Sequence, residues 1–524
     1  MASRSSHRWW LAVLALQCAW IMPLAPSASA QVPLPPNLIS PDVPHDVPAG
    51  QKASIQDLAI FAWREFIALN WTALDPATTG MRGRADTSKD FVTIKADAAG
   101  DFPLLVWMTY RHKNELFPAD GKTDPRFDSN VATYKYKGPP IKPGTNTVPS
   151  TSGVAAPSFN LFTNLDETSE IGLCNMYAHK TNAQNGIRIA YEAKVNRAVF
   201  DYANKNGLTT CDNKGNCPTL VAARKSTIAN LAQNGGICTL PKGVSPASIV
   251  MLPCGDNAVA GDDGEGAIEI KAAWRPLTPK EAASGRFLTR KVIFYSGQQF
   301  VNEQYNNAIW GLVALHIIHK TKSFPAFVFA TWEQVDDFDD QTHRNSENLA
   351  FVNTGTKLPN IPVTRAHPIN PPIPPVNDAV HALFKAKDPA TIWQYYKLIG
   401  VQAMPINGPP TPTPPNPQAS YYYLANIVVE TNQTLQNFFG AAPNGVVQPF
   451  KNVYLNGAPG SPFQMGGCQG CHGTQGQSIG GDMSRLIGAA PSNSTSPPES
   501  IDAGAAAALR SYAARSADVP RRRR

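Results

Sequence analysis

A chain of 524 residues with 43% apolar and 16% charged residues can bury a sizeable core, which excludes a disordered or solvating role. Of its formal net charge of +7, the arginines at 521–524 supply four, so the rest is close to neutral and offers no basic surface for nucleic acid. No phosphate-cradling loop or paired His-Glu zinc motif occurs, so nucleotide-binding and zinc-hydrolase readings have no support.

The chain opens with Arg4 and Arg8, an apolar run from Trp9 to about Leu24, and Ala28-Ser29-Ala30 in A-x-A form. That order predicts a secretory signal peptide over residues 1–30 and export to the periplasm. The apolar run is interrupted by Gln17 and Pro23 and falls short of the roughly 20 residues a spanning helix needs. No later segment is apolar enough to span a membrane.

Residues 31–50 are Pro-rich and read as an extended lead-in. In "QKASIQDLAIFAWREFIALNW" (51–71), Ile55, Leu58, Phe61, Ala62, Phe66 and Leu69 recur at helical spacing. Residues 120–158 are rich in Gly, Pro, Thr and Lys and read as loop. "IRIAYEAKVNRAVFDYANKNGL" begins as a strand, turns helical and stops at Asn206-Gly207. Residues 208–264 hold four cysteines and many turn formers. The β-branched and aromatic runs "GAIEIKAAWRPL", "RKVIFYSG", "AIWGLVALHIIHK" and "PAFVFATWEQV" read as sheet.

The acidic stretch 332–348 gathers Glu333, Asp336, Asp337, Asp339 and Asp340 without a Gly-centred calcium loop, so a solvated turn is favoured over a cation site. A helix is expected over 376–398 inside a Pro-rich stretch, and another in "SYYYLANIVVETNQTLQNFFG", ending at Gly440. Together these predict an α+β fold: a mixed or antiparallel sheet body with peripheral helices and long Pro-rich loops.

Cysteine usage agrees with export. Outside the leader and the motif below lie Cys174, Cys211, Cys217, Cys238 and Cys254. Cys211 and Cys217 flank "DNKGN", a turn tight enough to bring them into bridging range. Cys238 with Cys254 is the next natural pair, leaving Cys174 free, although spacing alone leaves other pairings open.

The stretch "GGCQGCHGTQGQ" (466–477) places Cys468, Cys471 and His472 in C-x-x-C-H spacing. With this chain's Cys and His content, shuffling would produce that pattern in roughly 0.2% of sequences. The preceding "NGAPGSPFQMGG" is no strand, which argues against a thioredoxin-like dithiol, and no second Cys/His pair follows to close a zinc site. Two thiols at this spacing can form thioethers to both vinyl groups on one haem edge, with His472 beneath the iron and Gly473 letting the backbone pass close.

The stretch resembles the attachment site of c-type cytochromes, which implies one covalent haem c on Cys468, Cys471 and His472. More broadly, "AWREFIALNW", "EIKAAWR" and "GLVALHIIHKT" are similar to stretches of a bacterial group of secreted proteins of comparable length with a single late C-x-x-C-H-G. That resemblance implies the haem and a large body, not a reaction. Only 52 residues follow His472, too few to wrap a haem, so the upstream body must supply the other wall of the pocket. Residues 51–490 are therefore read as one unit, with the attachment segment at 461–490 and a disordered or weakly helical tail at 491–524.

The sixth iron position has several candidates. Met483 lies 11 residues past His472, a span that reaches the opposite haem face only when nearly taut. His316 and His319 sit in the most apolar run; as a strand, Leu312, Ala314, His316 and Ile318 share one face and His319 points away, whereas a helix would put both histidines together. His316 is favoured, with Met483, His343, His367, His381 or an open site as alternatives. Electron transfer with a redox partner protein is the expected chemistry. A peroxidase- or oxygenase-like haem enzyme and a non-catalytic haem sensor are the alternatives.

Overall fold

The computed structural model describes residues 32–144, 158–168, 174–178, 187–212, 214–231, 236–245, 248–256, 264–298, 300–337, 349–353, 369–403, 426–430, 472, 480–488 and 498–501. The expected leader, most of the 420–440 helix, and Cys468, Cys471, His343 and His367 lie outside the described residues.

Helix α1 (Ile55–Leu69) starts at a capping box, in which Ser54 and Asp57 satisfy each other's backbone N–H groups. Leu58, Phe61, Ala62, Phe66 and Leu69 are buried as the spacing predicts. So are Trp63, Glu65 and Ile67, because α1 is covered on more than one side. Strand β1 (Ala190–Val195) runs through the cap Asn196 into α2 (Arg197–Lys205), which ends at Asn206 with Gly207 at φ 66°. Helix α3 (Pro218–Asn230) precedes the strands β2 (Ile268–Pro276), β3 (Thr289–Ser296), β4 (Gln304–His319) and β5 (Val328–Gln334). Helix α4 (Ile373–Lys387) and strand β6 (Tyr396–Gln402) follow.

Among the described residues these strands form a nine-stranded mixed sheet whose main path runs from Arg111–His112 through β1, β2, β4, β5 and β6. Strand β4, 16 residues long, pairs twice: its first part with β3, its second between β2 and β5. The short strands Lys142–Pro143 and Asn164–Leu165 join β4 and β3 in parallel. The α+β architecture, helices peripheral to a large mixed sheet, is the one expected.

Register assigns the faces. Lys271 lies opposite His316, and His316 opposite Thr331, so all three point the same way, with Glu269, Ile318 and Phe329 one step along. The other face carries Ile270, Ile317, His319, Ala330 and Trp332. It packs on α1 and α4 through Trp63 and Phe66, whose rings lie 6.3 and 5.2 Å from that of Trp332. Trp63 Nε1 donates to Asn377 of α4, so this dry face leaves the indole satisfied.

Three details depart from the sequence reading. Ala273 pairs with Ala314 but Trp274 with Leu312, so Val313 bulges and Leu312 turns over to the face of Leu315 and Ile317. Helix α3 lies within 208–264, a stretch expected to be irregular. Pro218 fits its first turn and Leu220, Ala223 and Thr227 are buried, but outward-facing Val221 and Ile228 blur the amphipathic pattern. The helix expected over 376–398 is really a helix and a strand joined by the short 3-10 turn Ile392–Tyr395. Asp388 leaves helical backbone ahead of Pro389, and "YKLIGVQ" pairs with β5.

The acidic turn is likewise less solvated than expected. Glu333 and Asp337 are buried, Glu333 lies 3.4 Å from Lys397, and Asp336 pairs with Arg286. Disulfides join Cys211 to Cys217 and Cys238 to Cys254, the expected pairs. Within the expected tail, residues 498–501 pack: Ile501 N donates to the Tyr295 carbonyl, and Glu499 accepts from Thr168. No helix among the described residues is long and apolar enough to cross a membrane.

Candidate functional site

Of the three motif residues, His472 falls within the described chain. Its ring is part-buried and meets Phe329 of β5 edge-on, with centroids 4.9 Å apart. Its Nδ1 lies 2.9 Å from the Met483 carbonyl oxygen. A carbonyl only accepts, so Nδ1 carries the proton and the neutral ring keeps its lone pair at Nε2. Burial pushes the imidazole down to about 4 even though the Met483 bond works the other way. His472 is therefore neutral at pH 7, the form that binds a metal.

The carbonyl is presented by an unusual turn. Gly480, at φ 76°, runs so close to α3 that an added Cβ would meet the Arg224 carbonyl oxygen at 2.4 Å. Asp482 and Met483 follow at φ 56° and 68°, left-handed conformations that cost about 1 to 3 kcal/mol each for residues other than glycine. The buried Asp482 carboxylate accepts from Gly236 N and Leu252 N, both at 2.6 Å, and pairs with Lys320 just past β4. Ser484 donates to the buried Glu269 of β2 and accepts from Ile487 N at 3.0 Å, starting the short helix Arg485–Gly488. Burial raises the Glu269 carboxyl to about 7 despite the bond from Ser484 and those from the Leu486 and Arg485 main chain.

His316 projects from β4 toward the same place. It is 8% exposed, its ring centroid lies 6.2 Å from that of Phe329, and its Nδ1 has no hydrogen-bond partner among the described residues. Burial, then the nearness of His472 and Lys271, push it down to about 3, so it too is neutral. Phe329 thus meets both imidazoles, from two distant parts of the chain.

The other candidates are placed differently. His319 points to the α1 face, stacks on Phe61 at 5.7 Å, and has both nitrogens engaged, Nδ1 by Glu65 and Nε2 by the Glu265 carbonyl. His381 of α4 bonds the Tyr396 carbonyl at 2.8 Å and meets Trp63 edge-on, on that same side. Met483 is buried, with its main chain at the Nδ1 end of His472. Among the described residues no group of three or more His, Cys, Asp or Glu could hold a metal ion.

Sequence reasoning missed Asp482, Ser484, Lys320 and Glu269. The alternation of Glu269 and Lys271 with apolar residues in "IEIKAAW" was the available signal that one face of β2 is polar. Nothing local links Asp482 to Lys320, which stand 162 positions apart. Compared with known proteins, the chain matches no family model, no curated protein and no solved structure.

Proposed function

We propose that this protein is a periplasmic, single-haem c-type cytochrome-like protein that transfers electrons through haem c held by Cys468, Cys471 and His472. The observation that carries the reading is the state of His472. Its Nδ1–H is bonded to a backbone carbonyl and its ring is neutral, which leaves Nε2 as the donor a proximal ligand needs. The bound haem would supply one-electron iron chemistry. The chain supplies the ligands, an enclosing wall and a docking face for a redox partner protein.

His316 is the sixth ligand in this reading, because a buried imidazole nitrogen without a partner, beside the ring that touches His472, is otherwise an uncompensated cost. Met483 serves instead as the acceptor behind the proximal ring. Its main-chain carbonyl holds the Nδ1 side of that ring, so Met483 would act through its backbone and not its thioether. The two disulfides accord with an oxidising compartment.

Replacing Cys468 and Cys471 by Ala should abolish haem staining on a denaturing gel, and the mature chain should begin at Gln31 with the mass of one haem added. Staining that survives the double substitution would sink the attachment reading.

A further inference from the structure

We infer that Lys320 and Asp482 are positioning residues for the proximal ligand: their buried ion pair locks the left-handed turn that aims the Met483 carbonyl at His472 and so sets the haem potential. This rests on the haem reading above.

Neither Asp482 nor Met483 is a glycine, so consecutive positive φ angles persist only where surroundings hold them. Those surroundings are specific. Asp482 takes its three donors from positions 236, 252 and 320, all in the body and none in its own loop. One residue beyond Met483, Ser484 is tied to Glu269 in the middle of the sheet. The peptide whose carbonyl meets the imidazole is thus bracketed by two side chains, each fastened to the body.

Lys320 is itself well fixed, since its neighbour His319 is clamped by Glu65 and its own main chain bonds Ala267 and Gly255. A hydrogen bond from Nδ1–H makes Nε2 a stronger donor, which favours ferric over ferrous iron. A loosened turn would weaken that bond and raise the potential. A pair that served folding alone would change stability and leave the potential where it was.

The test uses the full-length, haem-loaded protein carrying Asp482→Asn with Lys320→Met, which removes both charges and leaves neither buried alone. Haem staining should persist, and the midpoint potential should rise by the equivalent of about a tenfold change in the ferric-to-ferrous ratio, about 59 mV for one electron. A folded variant with an unchanged potential overturns the inference. Should the variant fail to fold, the unaltered ferrous protein still decides. The His472 Nδ1 proton should exchange slowly with solvent by NMR, and fast exchange overturns the inference. Unaltered protein with no haem staining would refute the functional reading itself, an outcome the stain reports separately from either measurement.

Discussion

Strand β4 carries two histidines three residues apart, and the two faces of the sheet use them in opposite ways. On the α1 side, His319 stacks on Phe61 with both ring nitrogens engaged. On the other side, His316 lies beside Phe329 and His472 with a buried nitrogen that no described residue meets. Both rings are buried, so burial alone does not tell structure from chemistry. Satisfaction does: a fully bonded imidazole is committed to the fold, whereas an unmatched one costs stability unless a ligand completes it.

The first way to break this comparison is to remove the partner on the structural side. Glu65→Ala leaves His319 buried between an absent carboxylate and the Glu265 carbonyl. Removing one member of such a pair costs about 3 to 5 kcal/mol. Urea unfolding should show that loss while the visible haem spectrum stays unchanged. A shifted spectrum would mean that the α1 face is not separate from the site.

The same pair should write a pH signature. His319 Nε2 faces a carbonyl and Nδ1 faces Glu65, so the folded pair holds a proton at Nε2 and another between the two side chains. Burial, the largest single influence on each, raises Glu65 and would by itself depress His319, but the charge and bond of Glu65 together with the carbonyl and charge of Glu265 outweigh it and His319 is raised too. An unfolded imidazole gives up its extra proton above about pH 6.5, and the folded pair keeps it. The stabilisation is thus complete below that value and fades as pH rises, by up to about 1.4 kcal/mol per unit, until the folded pair itself titrates. Glu65→Gln, whose amide can donate to a neutral His319, should flatten the slope between pH 6.5 and 9 measured by urea unfolding. An unflattened slope would place the linked proton elsewhere.

How much of this was legible in the sequence follows from range. The strands β1 to β5, α1 and the Asn206-Gly207 stop are local patterns, and each appears where its residues predict it. The opposite directions of His316 and His319 also followed from strand alternation. The bulge at Val313 did not, because a bulge answers to the neighbouring strand; "GLVAL" alternates well enough without one. Helix α3 was hidden by apolar residues on its outer side. Spacing alone singles out Cys468, Cys471 and His472 as the proposed attachment site, but the support around His472 comes from positions 236, 252, 269, 320 and 329, brought near only by the fold.

The smallest expected change in stability belongs to the functional side, and there the spectrum should change most. His316→Ala gives up some packing but also removes a buried unpartnered nitrogen, a group that costs about 1 to 3 kcal/mol. In the chain without haem (the Cys468→Ala, Cys471→Ala background) the two effects oppose, so unfolding free energy should stay within about 1 kcal/mol of that background. If His316 ligates the iron, the unaltered reduced protein is low-spin and binds carbon monoxide slowly or not at all. Its potential then lies well below that of a His/Met pair, since thioether sulfur favours ferrous iron more than imidazole does. The His316→Ala protein should become high-spin and take up carbon monoxide rapidly, while Met483→Ala, which keeps the main-chain carbonyl, should leave the spectrum nearly as it was. Unaltered protein that is already high-spin and reacts quickly with peroxide would reverse the assignment. His316 would then stand over an open iron, and the haem-enzyme reading would replace the carrier.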